Sequence, residues 1–406
     1  MNAKPDRKRF AAREHYRTPL LHTPFRARLE ALMEGEHWYD WAGYAVASVI
    51  RDEELEYFAI RSTSALFDLT PMLKYRIEGP DAEAFLNKLT LRDVSKLKPG
   101  RVQYTAWCDD DGYVLDDGTL FRFAPDRFRL CCQERHLPWL LDTAMGFDVS
   151  VTDETDAFAG LALQGPTSAS VLRAAGFDID AMKPFAMAEF THQSSKVLIS
   201  RTGFTADLGY ELFIEIKAAE SLWDRLWEAG QPYGINAIGY AALNSARIEA
   251  GFIVANADFI TSEHALRADR VRQPDEIGLD WMVDMAKPHF NGRRAIADAR
   301  AKGTLHHVLV GLEIEGNEPA TGSIVYHGAR TEAGVVTAAI WSPTAKRNIA
   351  LASLERPFGE KTNDGLWVEI YAPRELRYHK LKKKARVVER PFVRLPRRTQ
   401  TPPVKF

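Results

Sequence analysis

The order of short apolar strands and amphipathic helices repeats along the first 250 residues, and that repeat restricts the fold more than any other feature. In the first pass, Ala65-Leu66-Phe67-Asp68-Leu69 reads as a buried strand. Lys74 to Glu78 alternates polar and apolar residues, as a strand with one wet face does. Gly79-Pro80 marks a turn, after which Ala82, Phe85, Leu86 and Leu89 share one helical face. Val102 to Cys108 and Tyr113 to Phe123 bracket Asp109-Asp110-Asp111-Gly112. Asp and Gly both tolerate positive φ, so this is a hairpin signal. Phe128 to Cys132 adds a strand and His136 to Met145 a helix. In the second pass, Leu161 to Gln164 is a strand opening onto Gly165-Pro166. Thr167 to Ala175 is a helix stopped by Gly176. Lys196 to Arg201 and Tyr210 to Ile216 are strands flanking a glycine-bearing turn. Ser221 to Ala229 closes the pass as a helix. The sequence therefore predicts two related α+β halves.

Ahead of the repeat, residues 20 to 45 predict an amphipathic helix (FRARLEALMEG) and then a break at Gly35 and the Trp38-Tyr39-Asp40-Trp41-Ala42-Gly43 cluster. A second helix ends near Ser62. Past Asn291-Gly292-Arg293-Arg294 the texture changes. Residues 305 to 395 are short alternating segments punctuated by glycine, which predicts a small barrel or sandwich. Lys382-Lys383-Lys384 reads as a solvated strand edge. The organisation expected is a tail over 1–30, α+β units over 31–150 and 151–295, a β-domain over 305–395, and a loose Pro-rich tail over 396–406.

A length of 406 residues calls for more than one folding unit. With 53 Lys and Arg against 55 Asp and Glu, the net charge of −2 gives no electrostatic case for nucleic acid or a membrane surface. The basic N-terminus lacks the apolar core of a signal peptide, and Asp6 and Glu14 do not suit a transit peptide. No run approaches the ~20 apolar residues that span a bilayer. The 3 cysteines, Cys108, Cys131 and Cys132, have no disulfide or zinc spacing. They read as reduced, buried thiols of a cytoplasmic protein.

No G-x-G-x-x-G follows a strand, and there is no G-x-x-x-x-G-K, which argues against a flavin or nicotinamide domain. No metal is expected: His306-His307 would point to alternate faces of a strand. The polar residues that remain sit at strand ends beside glycine. Asp116-Asp117-Gly118-Thr119 is either a turn cap or a carboxylate poised to bind an amine or relay a proton. Glu211 lies inside a strand after the loop Arg201 to Gly209. It is either on the wet face or buried with a partner, and a buried carboxylate could grip a planar amino-pyrimidine through two parallel N–H bonds. Arg247 and Glu249 could form a structural ion pair. Asp258, Tyr44 and Tyr240 are candidates for a substrate channel.

Seven segments, in order, resemble the T-protein (aminomethyltransferase) family of the glycine cleavage system: ALFDLTPM (65–72), GYVLDDG (112–118), LALQGP (161–166), SRTGFTADLGYEL (200–212), ARIEAG (246–251), FNGR (290–293) and WSPTAKRNIA (341–350). The resemblance implies an α+β three-domain cloverleaf, with two related units around a central channel, a C-terminal barrel-like domain and tetrahydrofolate in the channel. Carried over by position, Asp117 matches the family's catalytic aspartate near N5 and N10 of the folate. Glu211 matches the glutamate on the pterin ring, and Tyr104 and Phe204 match ring-lining aromatic positions.

The sequence departs from the pattern at Leu243, where the family places arginine, with Asn244 after it, and at Ala206, where it places glycine. Losing a cation there suggests a donor other than the lipoyl-carried aminomethyl group. The expected activity is a tetrahydrofolate-dependent demethylase, moving methyl from a small sulfonium, amine or aryl ether to N5 of the folate. The alternatives are a true aminomethyltransferase making 5,10-methylene-tetrahydrofolate with a lipoyl carrier protein as partner, and a non-catalytic folate-binding module.

Overall fold

The computed structural model describes residues 19–359 and 365–403. The expected N-terminal tail falls largely outside them. Its described end is docked: Phe25 and Leu29 are buried, and the Phe25 ring lies 5.4 Å from Trp223. The helix there is one short turn, Arg26–Glu30, because the Glu34 amide turns to the Ile50 carbonyl at 2.9 Å. The aromatic cluster after it is not a break. Trp38–Trp41 is a strand paired with Tyr44–Ala47, as its bulky aromatic residues favour.

Two sheets form the α+β body. One has five strands, in the order Arg101–Cys108, Val114–Ala124, Arg127–Cys132, Leu73–Glu78, Ser150–Asp153. The other has six, in the order Met187–His192, Ser195–Ser200, Gly209–Glu215, Phe158–Gln164, Ser64–Asp68, Ile235–Ala237. Ser64–Asp68 comes from the first half of the chain but completes the sheet of the second. It is buried along its whole length, antiparallel to Phe158–Gln164 and parallel to Ile235–Ala237. A strand apolar on both faces is stable only inside a sheet covered on both sides, which an edge of the five-stranded sheet would not offer.

The third unit is a closed barrel of six strands: His307–Ile314, Arg347–Glu355, Thr331–Ser342, Ile324–His327, Leu366–Arg374 and Arg377–Val388. Closure leaves no strand edge. The triple lysine therefore lies in a strand paired on both sides, with Lys383 on Glu318 at 3.2 Å and Lys382 over Trp367. Residues 396–403, expected to be loose, are instead bonded back to the second α+β unit. No described helix is long and apolar enough to cross a membrane.

Candidate functional site

The expected hairpin forms. Gly112 takes φ +79°, and the Asp109 carboxylate accepts the Tyr113 amide at 2.9 Å. The turn keeps Asp116 and Asp117 well inside the following strand, Val114–Ala124, so neither is a turn cap. Alternation then sends the two carboxylates to opposite faces.

Asp117, Thr119 and Phe121 share one face. Phe121 meets Phe213 of the six-stranded sheet edge-on, with centroids 5.8 Å apart. Glu211 lies two residues before Phe213 in Gly209–Glu215, hence on the same face as Phe213. The sheets thus face one another, one contributing Asp117 and the other Glu211. Tyr104 pairs with Thr119 in register, and its hydroxyl donates to Asp117 Oδ2 at 2.7 Å.

Burial pushes the Asp117 carboxyl up to about 7, aided by the negative charges of Asp116 and Asp258 and opposed by the Tyr104 hydroxyl. Such a group exchanges a proton near neutrality. Asp116, on the opposite face, is fully buried. It accepts the amides of Asp117 (2.8 Å) and Glu134 (3.0 Å), and His136 Nε2 lies at 3.2 Å. His136 Nδ1 lies 3.1 Å from Glu263. Burial disfavours the imidazolium, but the two carboxylates outweigh it and raise His136 to about 9.

Glu211 is buried, and burial raises its carboxyl above the usual range against one opposing bond, from Thr202 Oγ1 at 2.6 Å to Oε2. Its other oxygen accepts no hydrogen bond from a described residue. The loop before it is set by Gln164. A Cβ on Gly203 would come within 2.1 Å of the Gln164 side chain, and one on Gly209 within 2.2 Å. Thr205 Oγ1 donates to Gln164 Oε1 at 2.9 Å. Phe204, on this loop, stacks on Phe252 at 5.4 Å.

Asp258 pairs with Arg247, accepts the Val254 amide at 2.9 Å and takes the Thr337 hydroxyl at 2.7 Å. Arg247 and Glu249 are not a pair, since helical positions two apart diverge. Glu249 instead holds Arg61 at 2.6 Å and Tyr57 at 2.6 Å. Tyr240 feels the charges of both Asp258 and Arg247, and its ring lies 4.9 Å from Tyr39. Tyr44 is buried, and its hydroxyl meets Asp156 at 2.5 Å.

A cleft of about 1170 Å³ reaches Tyr104 between the α+β body and the barrel. Arg92, Trp281, Phe252, Arg390 and Arg398 line it. Arg92 lies over Trp281 at 5.4 Å, and Arg398 lies over Phe252 at 5.2 Å. Burial lowers the proton affinity of all three arginines, and none forms an ion pair with a described carboxylate. These cations were invisible to the sequence reading because Arg92 lies about three hundred residues from Arg390 and Arg398 along the chain. His136 and Glu263 were missed for the same reason.

The chain matches the GCVT N-terminal domain over residues 26–287 and the glycine cleavage T-protein C-terminal barrel domain over residues 307–394. The chain belongs to the glycine-cleavage T-protein family. An aminomethyltransferase of Streptomyces coelicolor is 33% identical over 88% of this chain and 95% of that protein. A trimethylamine-oxide aldolase of Ruegeria pomeroyi is 36% identical over 74% of this chain but only 38% of that longer protein. The crystal structure of the glycine cleavage system aminomethyltransferase T from Bartonella henselae superposes with a TM-score of 0.81 at 25% identity, covering 92% of this chain and 98% of that one. The three-part T-protein fold is therefore present, and the chain is a tetrahydrofolate-dependent one-carbon transferase.

Both departures from the family pattern have visible surroundings. Leu243 is buried in an apolar cluster with Tyr44, Tyr57 and Ile60. Ala206 occupies the left-handed region at φ +57°. Asn244 Oδ1 accepts Arg247 Nε at 2.9 Å, so the neutral amide still orients that guanidinium.

Proposed function

We propose that the chain moves a methyl group from a small methylated donor to N5 of tetrahydrofolate. The observation that carries this reading is the placement of Asp117 and Glu211 on facing sheets, each buried, with Tyr104 donating to the one and Thr202 to the other. The donor set suits a reduced folate. A free carboxylate oxygen on Glu211 matches an amino-pyrimidine, and a carboxyl titrating near 7 matches a secondary amine that must lose its proton. The unpaired arginines of the cleft match a carboxylate-bearing arm.

In the reaction, reduced folate supplies the nucleophilic nitrogen. Asp117, its carboxyl raised to about 7 by burial, would in its ionised form accept the proton released as the N–CH₃ bond forms, while the donor's bond to methyl breaks and the demethylated donor leaves with that electron pair. Tyr104 keeps the carboxylate aimed by donating to Oδ2. Glu211 and Phe204 would fix ring orientation, leaving the donor carbon to be held near the line of attack. Asp258, whose charge reaches Asp117, and Tyr240 and Tyr44, which share one apolar cluster, would border the donor.

Leu243 supports a donor without the lipoyl-carried aminomethyl group, because no cation stands at that position. The aminomethyltransferase reading draws its support from the full-length likeness to such enzymes. Incubating the protein with tetrahydrofolate and a panel of sulfonium, amine and aryl-ether donors separates the two. Mass spectrometry of the folate should show 5-methyl-tetrahydrofolate. Formation of 5,10-methylene-tetrahydrofolate alone, and only with an aminomethyl-lipoyl carrier, would exclude the demethylase.

A further inference from the structure

His136 has a carboxylate on each ring nitrogen, and the transfer chemistry above does not use it. Nε2 lies 3.2 Å from Asp116 Oδ2, and Nδ1 lies 3.1 Å from Glu263 Oε2. A neutral imidazole has one N–H, so it would satisfy one oxygen and set its lone pair against the other. Two carboxylates at this range select the imidazolium, which donates to both. The His136 and Asp116 side chains are fully buried, and the Trp107 ring closes edge-on over the imidazole at 5.6 Å between centroids. The Glu263 side chain is half exposed. A buried cation thus has one anion inside the fold and one at the surface.

Three elements build this triad. Asp116 lies in Val114–Ala124, His136 precedes the helix Leu137–Thr143, and Glu263 belongs to a loop laid along the start of the same strand. There the Ser262 amide donates to the Val114 carbonyl at 3.0 Å, and the Val114 amide to the Arg272 carbonyl at 2.9 Å. Asp116 Oδ1 accepts the Asp117 amide, while Oδ2 takes the Glu134 amide and His136. Other titratable groups nearby do not supply the missing positive charge. Tyr75, whose hydroxyl accepts the His136 amide, and Cys132 are both raised by burial and stay neutral. Arg135 is turned to Asp153, and His264 acts on Glu263 rather than on Asp116. Around Asp117 stand Asp116, Asp258 and Tyr104, and Asp258 already holds Arg247. Compensation of Asp116 falls to His136.

We propose that His136 is a positioning residue of the transfer reaction: kept charged by Glu263, it holds Asp116 against the main chain of Asp117 and limits the repulsion that Asp116 exerts on the proton-accepting carboxylate. The inference rests on the reading of Asp117 as proton acceptor. Its sign is fixed, since the charge of Asp116 favours a protonated Asp117 and a cation behind Asp116 offsets that push.

The test uses the full chain without ligand, carrying ¹³C at the aspartate carboxyls and at histidine Cε1, with both signals assigned by through-bond correlation and followed against pH. In the wild type the His136 ring should stay charged through pH 8. Glu263→Gln, a change at a half-exposed side chain, should lower the His136 midpoint by about one pH unit. His136→Gln should raise the Asp117 midpoint by about one pH unit, and Asp116→Asn should lower it. In the Asp116→Asn background, His136→Gln should no longer move it. A ring that only packs would leave the Asp117 midpoint in place, and that result overturns the proposal. A neutral His136 ring at pH 7 in the wild type, or a His136 midpoint indifferent to Glu263→Gln, overturns it without a folded His136 variant. Calorimetric titration with 5-methyl-tetrahydrofolate in two buffers of different ionisation enthalpy tests the underlying reading separately. Proton exchange on binding that changes in His136→Gln supports both. No binding overturns the folate reading, and with it the catalytic role of His136, whatever the midpoints show.

Discussion

Asp116 accepts the backbone amide of its neighbour Asp117 at 2.8 Å while pointing its own carboxylate to the opposite face of the strand. One strand thus carries a catalytic candidate on the face turned to the six-stranded sheet and a second carboxylate behind it. His136, set between Asp116 and Glu263, answers that charge.

The first prediction concerns Asp117 itself. Its carboxyl is raised in the fold, so the fold favours the protonated form. That contribution is complete below the unfolded value, about 3.8, and is lost as pH rises through about 7. Asp117→Asn should melt higher than the wild type above pH 7, with the difference vanishing toward pH 4. Its transfer rate should fall by about 10²- to 10⁴-fold, the usual worth of a general base. Equal melting temperatures at every pH would show that the carboxylate is solvated.

The second concerns His136. Its imidazole is also raised, so its stabilisation is fully present below about pH 6.5 and is lost as pH rises through about 9. His136→Gln should be destabilised relative to wild type at pH 6, and the gap should close by pH 10. A gap that does not change over that range would mean the ring acts only by packing.

Much of this was legible in advance, and the limits are physical. Asp117 and Glu211 lie beside a glycine or inside an apolar strand, so local pattern marked them as candidates, whereas Tyr104 and Phe204 were named only through the resemblance to the family. The hairpin at Asp109 to Gly112 followed from turn chemistry alone. Arg398, His136 and Glu263 belong to contacts between segments far apart in the chain, and no local periodicity encodes such a contact. The Trp38–Trp41 strand was misread because its aromatic residues were weighed as a break and not as good strand formers. The Arg247 and Glu249 pairing failed because adjacency along the chain was taken for adjacency in space.

The third prediction is on Glu211. Glu211→Ala should weaken tetrahydrofolate binding by about 1–3 kcal/mol, the loss on leaving a buried polar partner unmade. An unchanged dissociation constant would place the pterin elsewhere.

The fourth is on Asp258. Arg247 is almost fully buried, and Asp258 is its only carboxylate partner among the described residues. Asp258→Ala should cost about 3–5 kcal/mol in urea unfolding, the usual result of orphaning a buried charge. The milder Asp258→Asn should lower the pH midpoint of activity, because one of the charges that raise Asp117 is gone. A midpoint that stays in place would break the electrostatic link between these two residues.

The fifth is on Ala206, whose φ of +57° is costly for any residue with a Cβ. Ala206→Gly should stabilise the protein by about 0.5–1 kcal/mol, relief of strain exceeding the added freedom of the unfolded chain. A lower melting temperature would mean that the Ala206 methyl, itself buried, contributes more by packing than the backbone loses.

The strand Ser64–Asp68 is made early but finds its neighbours late. Its antiparallel partner is Phe158–Gln164, and its parallel partner is Ile235–Ala237. During synthesis the ribosome therefore releases an apolar ribbon that must wait, unpaired, until most of the body has emerged. The five-stranded sheet can gather its own core before that moment, but this one strand cannot be placed until the second half of the chain arrives.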